Sequence, residues 1–231
     1  MFKKFSKQGE LLNLWGYYGN EPGQLKNPYG LAYHDQWIYV ADTGNNRIQV
    51  FDRDGNLNKI LEQDLNKPTD IVCHSDGTLY ISDQNNQRII SIESNGYTCI
   101  YELNRYPDRI DIDGTGNLYI SSYDFEESKR KVYTIQKLNT RTKEIVFTCA
   151  LPNDYTLDTL QDIAVTQEGY TIFAIFQGRE SILQFNEKGS FSGEWEPDGS
   201  NNSVAGITVD LSNNIYIELT NKINKYSSNK K

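Results

Sequence analysis

One unit, written twice almost unchanged and then with falling fidelity, constrains this chain most. Residues 28–57, PYGLAYHDQWIYVADTGNNRIQVFDRDGNL, are answered by residues 68–97, PTDIVCHSDGTLYISDQNNQRIISIESNGY. Tyr39 answers to Tyr80, Asp42 to Asp83, Arg47 to Arg88 and Gly55 to Gly96, each 41 residues apart. Each unit holds short apolar runs separated by turn signals. A period near forty with three or four strands per unit predicts the blades of a β-propeller. One blade cannot bury its own faces, so the units imply a single closed domain over residues 1–231.

The later units keep the pattern. Strand B is almost wholly apolar in each: WIYVA, LYIS, LYIS, TIFAIF and NIYIEL. A strand with one wet face alternates, whereas a continuous run fits burial on both faces. Five copies of strand C can be anchored, at Ile48, Ile89, Ile135, Ile182 and Ile223. The expectation is an all-β, five-bladed propeller of four-stranded antiparallel blades. The fifth unit ends without a strand D. GELLNLWG at 9–16 lines up with GNLNKIL at 55–61, so the N-terminal strand is predicted to complete the last blade. That closure would cover an otherwise open sheet edge.

Composition narrows the function classes. A formal net charge of −8 weighs against nucleic acid and anionic membranes, which are bound by neutralising phosphates. Three cysteines, Cys73, Cys99 and Cys149, form no CxxC and support neither a disulfide framework nor a zinc site. The basic start MFKKFSKQ has no apolar stretch behind it, so no signal peptide is expected. The expectation is a cytoplasmic monomer with no membrane span.

Pro28, Gly30, Ala32, YVAD at 39–42, Asn45, Arg47, Val50, Phe51 and Gly55, with the lead-in WGYYGNEPGQLKNP at 15–28, resemble the NHL repeat. The match is strong in the first unit, good in the second, and reduced to pattern in the fourth and fifth. Phe176 and Leu219 stand where the family has Asp, and no Arg directly precedes Ile182 or Ile223. The family is most often six-bladed, which makes six the alternative count. The resemblance implies protein docking, RNA binding, or lyase and lactonase chemistry. The fold alone does not choose among them.

No nucleophile motif, P-loop, HExxH or EF-hand loop occurs, and no catalytic residue or resident cofactor is expected. Asp42 with Arg47, and Asp83 with Arg88, end strand B and open strand C, which makes them structural hairpin pairs. His34 and His74 share a turn position with Asp113 and Asp210. Asp70, Arg109 and Asp162 begin successive A strands and are placed at the channel mouth. They read as a charge-balanced plug. The rival is a calcium site, as in lactonase-like propellers, built from oxygen ligands.

The longest interstrand segment, YDFEESKRK at 123–131, and the lead-in loop are where binding residues would concentrate. They nominate Tyr17, Tyr18, Tyr123, Phe125, Lys129 and Arg130 as a docking surface for a protein or peptide. A non-enzymatic scaffold is the leading expectation. A metal-dependent lactonase- or lyase-like hydrolase is the alternative.

Overall fold

The computed structural model describes residues 1–6, 8–61, 64–96, 98–127, 130–155, 158–197, 204–219 and 222–227. The fold is an all-β five-bladed propeller with four-stranded antiparallel blades. The chain divides into two compact units, Met1–Tyr106 and Pro107–Lys231.

In the first unit β1 (Phe2–Phe5) pairs with β2 (Leu11–Trp15). β3 (Leu31–His34), β4 (Trp37–Asp42), β5 (Arg47–Phe51) and β6 (Leu57–Leu61) form the first blade. β7 (Pro68–Cys73), β8 (Leu79–Asp83), β9 (Arg88–Ile92) and β10 (Thr98–Glu102) form the second. Every residue of β8 is buried, as a strand B covered on both faces requires, and so is every residue of β5. Ala41, Ile48, Ile71, Ile81 and Ile90 pack between these two blades.

In the second unit β11 (Tyr106–Ile112), β12 (Asn117–Phe125), β13 (Lys131–Asn139) and β14 (Glu144–Thr148) make the third blade. β15 (Leu160–Val165), β16 (Thr171–Phe176), β17 (Ile182–Asn186) and β18 (Phe191–Trp195) make the fourth. The fifth has β19 (Val204–Val209), β20 (Ile215–Leu219) and β21 (Lys222–Tyr226) among the described residues.

Two expectations are corrected. First, the N-terminal segment is not a single strand: among the described residues β2 pairs with β1, Phe2 opposite Trp15. The reason lies in the turn. Ser6 N–H bonds the Glu10 carbonyl and Gly9 N–H the Ser6 carbonyl, as Asp52 and Gly55 do with Asn56 and Asp52. Gly9 and Gly55 both sit at φ +84, which glycine tolerates without strain. β1 and β2 therefore repeat the outer hairpin of a blade, and Trp15 joins Leu25, Val40 and Phe51 in a core on the first blade.

Second, residues 123–131 are not a loop throughout. β12 and β13 stay paired out to Phe125 opposite Lys131. The alternation of Tyr123 with Phe125, and Tyr133 opposite Tyr123, carries the strand pattern outward. β12 ends at Phe125 and β13 opens at Lys131, and Lys129 lies outside the described residues.

Candidate functional site

In the first blade Asp42 does more than pair across a hairpin. Its side chain is fully buried, and Oδ2 accepts from Arg47 Nε at 2.8 Å, Asn45 Nδ2 at 2.9 Å and Gln49 Nε2 at 2.9 Å. Oδ1 accepts the Lys26 backbone N–H at 2.6 Å, from the lead-in loop. Arg47 then reaches the Glu21 and Gln24 carbonyls at 2.9 and 3.1 Å. Gln49 closes the far side, taking the Gly23 N–H at 2.8 Å. Gly44 donates to the Lys26 carbonyl at 2.8 Å, and a Cβ there would meet that oxygen at 2.7 Å. Together they latch the loop that enters the blade. The second blade repeats the device with Asp83, Asn86 and Arg88, Asp83 accepting the Asn66 N–H at 2.7 Å.

On this fixed backbone Tyr17 and Tyr18 are 65% and 74% exposed. Nearby in sequence, Tyr29 and Tyr33 are exposed as well. In the second unit Phe125 is half exposed and Arg130 exposed. Tyr123 is not part of that surface: it is 4% exposed, with Phe125 edge-on at 5.5 Å and Lys131 Nζ over its ring at 4.0 Å. Alternation places Tyr123 against Tyr133 instead, centroids 5.4 Å apart.

Asp70, in the first unit, accepts its own strand's Ile71 N–H at 2.9 Å. Arg109 and Asp162 belong to the second. Arg109 Nε donates to the Gln161 carbonyl at 2.9 Å. Asp162 accepts the N–H groups of Ile163 and Ile207, both at 3.0 Å. A register shift between Leu160 and Asp162 re-aims this carboxyl, and the same shift precedes Asp70 and Gly206. Burial pushes Asp162 up to about 6, against the hydrogen bonds and the Arg109 charge that draw it down. Asp111 stands on β11 two residues past Arg109. Its carboxyl accepts the Val165 N–H at 2.8 Å and the Ile112 N–H at 2.8 Å. Burial pushes it up to about 7.

Residues 25–51, which span most of this latch, match the model of the NHL repeat. The chain carries an NHL repeat in a five-bladed β-propeller fold. No curated protein matches it by sequence. Among solved structures it is similar to virginiamycin B lyase from Staphylococcus aureus, at 18% identity and TM-score 0.64, over 87% of this chain and 67% of that one. A gluconolactonase from Xanthomonas campestris is 14% identical with TM-score 0.66, over 89% and 74%. A chain of a nidogen/laminin complex is 18% identical with TM-score 0.66, over 89% and 77%. Identities this low show the fold alone.

Within this propeller, two residues of consequence escaped the repeat pattern. Arg179 lies three positions before Ile182, two residues earlier than the repeat's own arginine would suggest. Its Nη2 stands 2.6 Å from Asp158, in the loop that enters the fourth blade, and also bonds the Asp154 carbonyl at 3.0 Å. The latch survives there with its carboxylate moved from hairpin to loop. Asp111 was legible as the second polar residue on one face of RIDID. The turn position of His34 and His74 is capped by carboxylates where they occur. Asp113 accepts the Thr115 and Asn117 N–H groups at 3.0 Å each, and Asp210 those of Ser212 and Asn214 at 2.9 Å.

Proposed function

We propose that this propeller is a non-enzymatic scaffold that binds a protein or peptide. The exposure of Tyr17 and Tyr18 on a loop fixed by a buried polar network carries the reading. Aromatic side chains displayed on preorganised backbone lose little entropy on binding and make good interface anchors. That a similar propeller occurs in a nidogen/laminin complex supports it. Phe125 and Arg130 offer a second, smaller patch of the same chemistry in the second unit. In a pull-down, the double variant Tyr17→Ser/Tyr18→Ser is expected to lose its partners at an unchanged melting temperature. Retention of the same partners would contradict the reading.

The hydrolase reading has one observation in its favour: burial raises Asp111 to about 7 and Asp162 to about 6, toward the range in which general acids work. They do not suit calcium. Each carboxyl is committed to backbone N–H groups, which occupy the oxygens a hard cation would need. Among the described residues no three His, Cys, Asp or Glu side chains stand close enough to hold an ion. Asp162 and Arg109 therefore read as a structural tie between neighbouring A strands.

A further inference from the structure

The fourth and fifth blades, both in the second unit, enclose a groove of about 580 Å³. Phe173, Gln184, Gly193, Trp195, Ile215 and Tyr226 line it. The opening has a local cause. Gly193 pairs with Gln184 on the outer hairpin, where the first blade pairs Lys59 with Val50. A Cβ at Gly193 would meet nothing within 4 Å. The glycine leaves space that a side chain would fill. The size lies in the range of small-ligand sites.

The walls are aromatic. Trp195 and Tyr226 stand edge to face, centroids 5.5 Å apart at 72°, and Phe173 adds a third ring. Most polar groups of the lining are committed. The Thr166 hydroxyl accepts from Tyr170 and Thr171 N–H, Asn213 bonds Gln167 and Glu168, and Glu194 accepts the Tyr155 hydroxyl. Three are not. Among the described residues, the Gln184 amide, the Trp195 indole N–H and the Glu196 carboxylate make no hydrogen bond within the protein. The groove thus offers aromatic faces, one uncommitted carboxylate and one uncommitted amide.

That set fits an organic cation. Aromatic faces attract cations, most strongly where water is partly excluded. A guanidinium is planar, stacks on indole and presents several donors to a carboxylate and an amide oxygen at once. The net charge of −8 favours its approach. We infer that this groove receives an arginine side chain of a peptide partner. The inference rests on the peptide-binding reading in taking a peptide as the bearer of the cation.

Calorimetry with an acetylated, amidated Gly-Gly-Arg-Gly-Gly peptide tests it, against the citrulline analogue and free butylguanidinium. The arginine peptide is expected to bind, and the citrulline peptide at least tenfold more weakly. Gly193→Leu, which fills the groove, and Glu196→Gln, which removes the charge, should each weaken binding at least tenfold at an unchanged melting temperature. Equal binding of citrulline, no binding of either peptide, or arginine binding indifferent to both substitutions would overturn the proposal. Butylguanidinium binding as tightly as the peptide would overturn the peptide as occupant. Tyr17→Ser/Tyr18→Ser should leave this titration unchanged, so the groove and the scaffold reading fail separately.

Discussion

The second and fourth blades fix the loop that enters them with the carboxylate in different places. In the second, the carboxylate is in the hairpin. Asp83 is fully buried at the end of β8 and takes Arg88 Nε at 2.6 Å, while Arg88 reaches the Asp64 carbonyl at 3.0 Å. In the fourth, Phe176 fills the equivalent position, fully buried against Tyr155 at 5.1 Å. The carboxylate moves into the loop, Asp158, and the guanidinium of Arg179 covers the Tyr155 ring at 4.6 Å. The side chains of that pair are 40% and 29% exposed, against 15% and 0% for Arg88 and Asp83. A buried charge must be fully satisfied to be tolerated, whereas a rim pair can be lost with little effect. The difference teaches that the task, holding a loop, is retained while the energy moves from buried electrostatics to aromatic packing.

The sharpest way to break this comparison is Asp42→Ala in the first blade. It leaves Arg47 buried and removes the acceptor of the Lys26, Asn45 and Gln49 donors. A loss of about 3–5 kcal/mol is expected, as for other broken buried pairs. Urea unfolding measures it, and hydrogen exchange at Lys26 should speed with it. Binding at Tyr17 and Tyr18 should weaken only as far as the loop loosens. In the fourth blade the matching large effect should come from the ring, with Tyr155→Ala costing about 3 kcal/mol as a buried aromatic truncation. A small effect at Tyr155 would mean that packing has not taken over.

The second unit does carry buried electrostatics, but in its A strands. Folded, the Asp111 carboxyl keeps its proton up to about pH 7; its ordinary value is 3.8. Between these limits the unfolded chain binds fewer protons than the folded one, so stability falls as pH rises through the window and is level outside it. Asp162 contributes the same sign between 3.8 and about 6. Asp113 and Asp210 are drawn below their ordinary values, so they act at more acid pH. Wild-type protein should lose on the order of 2–4 kcal/mol between pH 4 and pH 8 from Asp111. Asp111→Asn should flatten the upper part of that slope and leave the part due to Asp162. Urea melts across the range decide it, and a wild-type stability that rises with pH would refute the burial argument.

Much of this was legible in the residues. The blades follow from the repeat because strand B is apolar on both faces, which few other arrangements accept. The latch was half legible: Asp42 and Arg47 were visible as partners. The loop they hold was not, since Lys26 and Gln24 contribute only backbone groups. β1 was missed although Phe5 to Gly9 matches Phe51 to Gly55, because FKKF is short and basic. Tyr123 was misplaced because a charged stretch after it was read as loop, while its own alternation with Phe125 continued the strand. Gly193 gave no sign of a groove, since a glycine in an outer strand matters only through the neighbour it fails to touch.

The smallest effect expected is at Asp158. Removing it by Asp158→Ala leaves Arg179 with the Asp154 carbonyl and its place over the Tyr155 ring. Nothing buried is orphaned, because both partners already meet water. Exposed ion pairs also spend side-chain entropy to hold one geometry, and salt screens them. The melting temperature should fall by less than about 2 °C, and raising the salt concentration should shrink even that difference. Differential scanning calorimetry at low and high salt reads both. A loss comparable to that of Asp42→Ala would show that the fourth blade still depends on its displaced ion pair, and that exposure is a poor guide to what holds these loops.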